Sequence, residues 1–251
     1  MNITSLDNQK VKKLKKLQSK KYRDIEGEFV VEGEHLVLEA YKAGVLEEAF
    51  LLDGEENSYD FEVTYCSLEV MKKISLLDTF SKIVGLCKKK EMKEVLGAKI
   101  LLLDGIQDPG NLGTIIRSSL AFNIDTIILT EDSVDLYNPK VLRATQGMIF
   151  NINIVVMTID EVINYLKKTD ITIYGTDVTG GVEAASLNQD EKKNFILIMG
   201  NEGSGVRREV STLVDKNLYI PMNKKVESLN VGVATSILLY EMGRELWIRY
   251  M

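Results

Sequence analysis

The second half of the chain alternates short, continuously apolar runs with longer stretches of helical spacing, and few folds accommodate that pattern. The runs are KILLLD (99–104), TIILT (126–130), NINIVV (151–156), ITIYGT (171–176), FILIMG (195–200) and NLYIPM (217–222). Helix-compatible segments lie between most of them, at 111–122, 138–147, 159–168 and 205–214, and a last one spans 228–246. Strands that lack polar alternation are covered on both faces, so the pattern predicts an α/β fold with a mostly parallel sheet between layers of helices. Such sheets bind ligands beyond the carboxyl ends of their strands, which directs attention to the loops that follow them.

The first half is less regular. It predicts a helix over 4–20, strands at 28–33, 47–52, 61–66 and 82–87, and helices at 34–43 and 67–74. The charged, weakly periodic segment CKKKEMKEVLGAK (87–99) reads as the join. The expected division is a small α/β domain over 1–90, a linker over 91–98, and a larger domain over 99–251. With 45% apolar residues in a chain of 251, enough hydrophobic surface is available for a core in each.

Several functions are excluded early. The uncharged stretch 228–240 is well short of the ~20 residues that cross a bilayer, and the N-terminus lacks the apolar centre of a secretory signal. A cytoplasmic protein without membrane association is therefore expected. Cys66, Cys87 and the single His35 do not supply the roughly four clustered ligands of a structural zinc site, so no metal is expected. The two cysteines read as buried thiols rather than a disulfide. His35 sits in a helical pattern as a surface or locally bonded residue, which argues against histidine-based hydrolysis.

Charge is unevenly distributed. The formal net charge is −6, yet residues 1–25 hold Lys10, Lys12, Lys13, Lys15, Lys16, Lys20, Lys21 and Arg23 against Asp7 and Asp24 only. That segment carries a surplus of six, leaving −12 for the remainder. It is either a basic arm for nucleic acid or the solvated face of a helix whose Ile3, Leu6, Val11, Leu14 and Leu17 turn inward.

Three loops carry chemical content. In LLLDGIQDPGNLGTIIRSSLAF (101–122), Asn111 is the expected helix cap, and Arg117 lies six residues on among apolar neighbours. Arg117 either snorkels to the rim or aims its forked donors at phosphate. In FILIMGNEGSGVRREV (195–210), Gly200, Gly203 and Gly205 surround Asn201 and Glu202 directly after a strand. The phosphate-loop lysine is missing, and a carboxylate there suits a cationic or hydroxyl-bearing ligand better than a polyphosphate. In the third, Ser228 or Asn230 can cap a final helix that is apolar nearly all round, as in a core or a subunit interface.

The order NLGTIIRSS, then IMGNEG, then IPMNKKVESLNVGVATSILLYE resembles the three motifs of the SpoU/TrmH family of RNA 2′-O-ribose methyltransferases, within the SPOUT superfamily. The resemblance spans about 99–246, and NPKVLRATQGMIF adds to it, with Thr145 where a serine is commoner. FVVEGEHLVLEA looks more loosely like the family's ribosomal-protein-like substrate domain. The resemblance implies a C-terminal trefoil knot, a homodimer that completes the site, and S-adenosylmethionine as methyl donor. It assigns the cofactor to Thr176, Gly200, Asn201, Glu202, Gly203, Ile220, Met222, Ser228, Leu229, Asn230 and Val231. Arg117, Asn111, Glu202, Ser228 and Asn230 become the catalytic set, and the eight cationic residues of the arm become RNA contacts. Ribosomal RNA is the preferred substrate. The alternatives are transfer RNA, or a non-catalytic RNA-binding or ribosome-assembly factor on the same fold.

Overall fold

The computed structural model describes residues 2–77, 80–90, 94–178 and 180–247, side chains of 244–247 excepted. The chain forms two compact units, one of residues 1–91 with 135–150, the other of residues 92–134 with 151–251. Two points differ from the expected division. Residues 135–150 group with the first unit although they lie within the expected second domain. Of the expected linker, 91–93 fall outside the described residues, while 94–98 are fastened to the second unit: Leu96 exchanges hydrogen bonds with the Thr126 hydroxyl (2.9 and 2.7 Å), and the Ala98 N–H donates to Asp125 (2.9 Å).

The elements of the first unit begin with β1 (Asn2–Ile3), α1 (Gln9–Lys16), α2 (Lys20–Glu26), β2 (Glu28–Glu32) and α3 (Glu34–Lys42). They continue with β3 (Leu46–Leu52), β4 (Val63–Cys66), α4 (Leu68–Ile74) and β5 (Ile83–Lys88). The five strands form a mixed sheet in the order β1-β4-β3-β5-β2. Of the helix expected over 4–20, only α1 (Gln9–Lys16) forms within the span; β1 precedes it and α2 begins at its last residue. Ile3 pairs with Cys66 in β1, Asn8 caps α1 by accepting from the Lys10 N–H, and extended Ser19 breaks the run before α2. Val11, Leu14 and Leu17 still enter the core, whereas Leu6 is left at the surface. Cys66 and Cys87 are buried free thiols, and burial pushes the Cys66 thiol up to about 11.

The chain continues through β6 (Lys99–Asp104), α5 (Pro109–Ala121), β7 (Thr126–Thr130), α6 (Pro139–Thr145), β8 (Asn153–Met157) and α7 (Ile159–Lys168). It finishes with β9 (Ile173–Thr176), β10 (Val182–Glu183), β11 (Phe195–Gly200), α8 (Arg208–Ser211), β12 (Lys216–Tyr219) and α9 (Val231–Trp247). Helix α6 belongs to the first unit, where Phe29 packs against the tilted ring of Tyr137 and stacks on Phe150 at ring separations of 4.6 and 6.1 Å. The other seven strands form one sheet, β10-β12-β9-β11-β6-β7-β8, with every pairing parallel. Ile100, Leu102, Ile196 and Ile198 pack with Val162 and Leu166 of α7, while their alternates Leu101, Leu103 and Leu197 are equally buried. Both faces of the sheet are thus covered, as the unbroken apolar runs require. From β6 the chain proceeds toward β7 and β8, whereas from β11 it proceeds to β12 on the opposite side. The crevice beyond the adjoining ends of β6 and β11 is therefore the topological switch point.

Candidate active site

Strands β6 and β11 run in register with Gly200 opposite Asp104, so the loops that leave them start at the same level. The loop after β6 ends at Asp108, whose carboxylate caps α5 by accepting the Asn111 N–H (2.8 Å); Pro109 follows in the first turn, where its missing donor costs nothing. The expectation that Asn111 is the cap is corrected: the cap stands three residues earlier, leaving the Asn111 side chain free to reach further. Its amide nitrogen donates to Glu202 (3.0 Å) and its oxygen accepts from the Asn230 amide (2.8 Å). Asn230 caps α9 with its own oxygen, accepting from the Gly232 and Val233 N–H groups (3.0 and 3.2 Å). One residue from each of the three motifs thus joins a single hydrogen-bonded chain.

Glu202 also accepts from the backbone N–H groups of Gln107 and Asp108, both at 3.3 Å. Burial pushes its carboxyl up, but the Asn111 amide and the backbone donors pull harder, and the net position lies below the usual carboxylate range. The carboxylate is therefore held ionised, with its oxygens fixed in direction.

Beside this chain of bonds is a cavity of about 560 Å³. All eleven residues that the resemblance assigns to the cofactor line it, from Thr176 through the Gly200–Gly203 loop to Val231. Leu218, Ile220, Met222 and Leu238 give it apolar wall, while Thr176, Asp177, Glu202 and Asn230 contribute polar groups. Size and mixed lining suit a folded nucleoside with a cationic tail. Gly200 is required by contact: a methyl group there would collide with the Gly205 and Val206 backbone.

Ser228 lines the cavity too, but Arg117 does not. Arg117 lies exposed on α5, next to Ser118, which hydrogen-bonds Ser236 of α9 (2.6 Å). Three members of the expected catalytic set, Glu202, Ser228 and Asn230, thus line one cavity within a single chain; Asn111 is hydrogen-bonded to two of them from outside the lining, and Arg117 is outside it too.

The basic arm is partly spent on ion pairs. Lys10 pairs with Glu48, Lys12 with Asp7 (2.9 Å) and Lys13 with Glu28 (2.6 Å). Lys15, Lys16, Lys20 and Lys21 are exposed. Arg23 corrects the sequence reading. It is 4% exposed, donates to the Leu17 and Gln18 carbonyls (2.8 Å each) and pairs with Asp135, so it is structural and out of reach of RNA.

Sequence reasoning passed over Arg207, Asp104 and Gln107. The Arg207 backbone N–H and Nε donate to the two oxygens of Asp104 (2.8 and 2.6 Å), and its terminal nitrogen donates to Asp132 (2.7 Å). Fixed at this point, the chain after the glycine loop forms only the short α8, not the helix expected over 205–214. The visible signal was a strand ending in Asp and an Arg shortly after a glycine loop, which periodicity does not weigh.

Comparison with known proteins agrees with this geometry. Residues 98–240 match the SpoU rRNA Methylase family, and residues 8–85 match an MRM3-like substrate binding domain. The chain is 38% identical over 245 residues to the 23S rRNA (guanosine(2553)-2′-O)-methyltransferase RlmP of Bacillus subtilis, covering 96% of this chain and 98% of that one. The AdoMet-bound rRNA methyltransferase of Sinorhizobium meliloti superposes with a TM-score of 0.84 at 29% identity over 98% of each chain. A structure described as an RNA 2′-O ribose methyltransferase superposes with a TM-score of 0.82 at 28% identity, over 98% of this chain and 100% of that one. With its motifs gathered at a single cavity, the chain belongs to the SpoU family of RNA methyltransferases.

Proposed function

We propose that this protein transfers the methyl group of S-adenosylmethionine to a ribose 2′-hydroxyl of large-subunit ribosomal RNA. The observation that carries the reading is the hydrogen-bonded chain Glu202–Asn111–Asn230 at the mouth of a cavity lined by all the expected cofactor residues. When bound, the cofactor supplies an electrophilic methyl on a positively charged sulfur. The apolar wall around Ile220, Met222 and Leu238 would hold its base, and the ionised Glu202 would offer negative charge to its cationic part. Gly200 and Gly203 let the backbone approach closely.

The protein must then place the ribose oxygen in line and stabilise the charge that grows on it. Arg117 is assigned that second task. A guanidinium remains protonated, so it acts by donating hydrogen bonds to the developing alkoxide and neighbouring phosphate rather than as a base. Asn111 and Asn230 hold the loop against α5 and α9, and Ser228 fixes the cofactor side of the cavity.

The reading includes the trefoil knot and the dimer of the family. Val233, Ile237 and Tyr240 leave an exposed apolar stripe on α9 at helical spacing, 47%, 37% and 48% exposed, as a subunit interface requires. A second copy docked there would bring its own α5, with Arg117, into the assembly. Lys15, Lys16, Lys20 and Lys21 are the RNA contacts retained from the arm, and the cytoplasm is the place of action. The deciding experiment is single-turnover transfer of labelled methyl to ribosomal RNA from cells lacking the gene, with the modified position mapped by resistance to alkaline cleavage. Retention of RNA without labelling, or label on a base, refutes the reading.

A further inference from the structure

We infer that Arg207 is a positioning residue for the cofactor: its clasp on Asp104 fixes the shape of the glycine loop that walls the cavity. The inference rests on the methyl-donor reading above. The loop from Gly200 to Arg207 is closed on itself and tied at both ends to the same residue. Asn201 and Gly205 exchange backbone hydrogen bonds (3.0 Å each way), and the Asn201 side-chain oxygen accepts from the Gly203 and Ser204 N–H groups (2.9 and 3.0 Å). At the entrance, Gly200 pairs in register with Asp104. At the exit, both oxygens of Asp104 accept from Arg207. Asn201 adds a brace by donating to the Gly105 carbonyl (2.7 Å).

Arg207 does not line the cofactor cavity, whereas Ser204, Gly205 and Val206 just before it do. It therefore acts through the loop. The Asp104 side chain is 1% exposed, so a loop that released Arg207 would leave a buried carboxylate without its countercharge, and that penalty keeps the clasp shut. Asp132, 53% exposed, accepts from one terminal guanidinium nitrogen and helps set the plane of the fork.

The test uses the full chain and two readouts, S-adenosylmethionine affinity by calorimetry and melting temperature. R207A is expected to weaken binding about tenfold or more and to lower the melting temperature. R207A/D104N removes the orphaned charge together with the clasp; it is expected to regain most of the melting temperature while binding stays weak. A double variant that regains both, or an R207A that binds within about twofold of wild type, overturns the inference. Should R207A fail to fold, R207K decides: it retains the charge without the Nε donor, and wild-type affinity in it overturns the clasp. A wild-type chain that does not bind S-adenosylmethionine overturns the methyl-donor reading itself, whereas normal wild-type binding with indifferent variants overturns the clasp alone.

Discussion

The N-terminal arm and the three loops around the cavity mislead a sequence reader in opposite ways. In residues 1–25 the charge count overstates what is available: of eight cationic side chains, three lysines are in ion pairs and Arg23 is buried. In the loops the sequence understates what is present. Asn111, Glu202 and Asn230 are separated by 91 and 119 positions from their partners, yet they share hydrogen bonds. Charge density is a local property that folding can consume, whereas a site assembled from strand ends exists only after the sheet has aligned them.

The largest expected effect tests the arm. Arg23→Ala strips the buried partner from Asp135 and should cost about 3–5 kcal/mol in a denaturant melt; a loss below 1 kcal/mol would return Arg23 to the surface set. Next comes the residue assigned to the reaction itself. Arg117→Ala should slow single-turnover transfer by roughly 10²–10³-fold, as loss of a transition-state donor does, with cofactor affinity intact. Joint loss of both would make Arg117 structural.

The arm comparison sharpens further with paired lysines. Lys20→Ala with Lys21→Ala should reduce the salt slope of RNA binding by about two units, while Lys10→Ala with Lys13→Ala should leave it nearly unchanged because those charges are already neutralised. Equal slopes would abolish the distinction. The smallest effect is the pH dependence of Glu202. Its carboxyl titrates lower in the folded chain, so its stabilisation is complete above its ordinary pKa and disappears as pH falls through the lowered one. Glu202→Gln should therefore melt below wild type at neutral pH, and the gap should close in acid.

What could be read from sequence follows the same divide. The strands expected at 99–104, 126–130 and 195–200 coincide with β6, β7 and β11, because a doubly covered strand leaves an uninterrupted apolar run. The residues that line the cavity were recoverable because their order along the chain is distinctive. Boundaries set by single polar contacts were not. Nothing local distinguishes Asp108 from Asn111 as a cap, and Ser19 interrupts what periodicity joins. Two-residue β10 has no apolar period at all. Arg207 was hidden because its partner Asp104 lies 103 positions away and looks like the polar end of a strand.

The return of residues 135–150 to the first unit has a practical outcome for anyone dissecting this protein. The polypeptide passes from one unit to the other three times, so no single cleavage separates them. A fragment ending at residue 91 would strand Phe29 without its aromatic neighbours and Arg23 without its counterion. The complementary piece would carry α6 with nothing to cover it. Substrate holding and methyl transfer are thus bound into one inheritable unit, and shuffling either half between relatives would require an exchange at all three crossings.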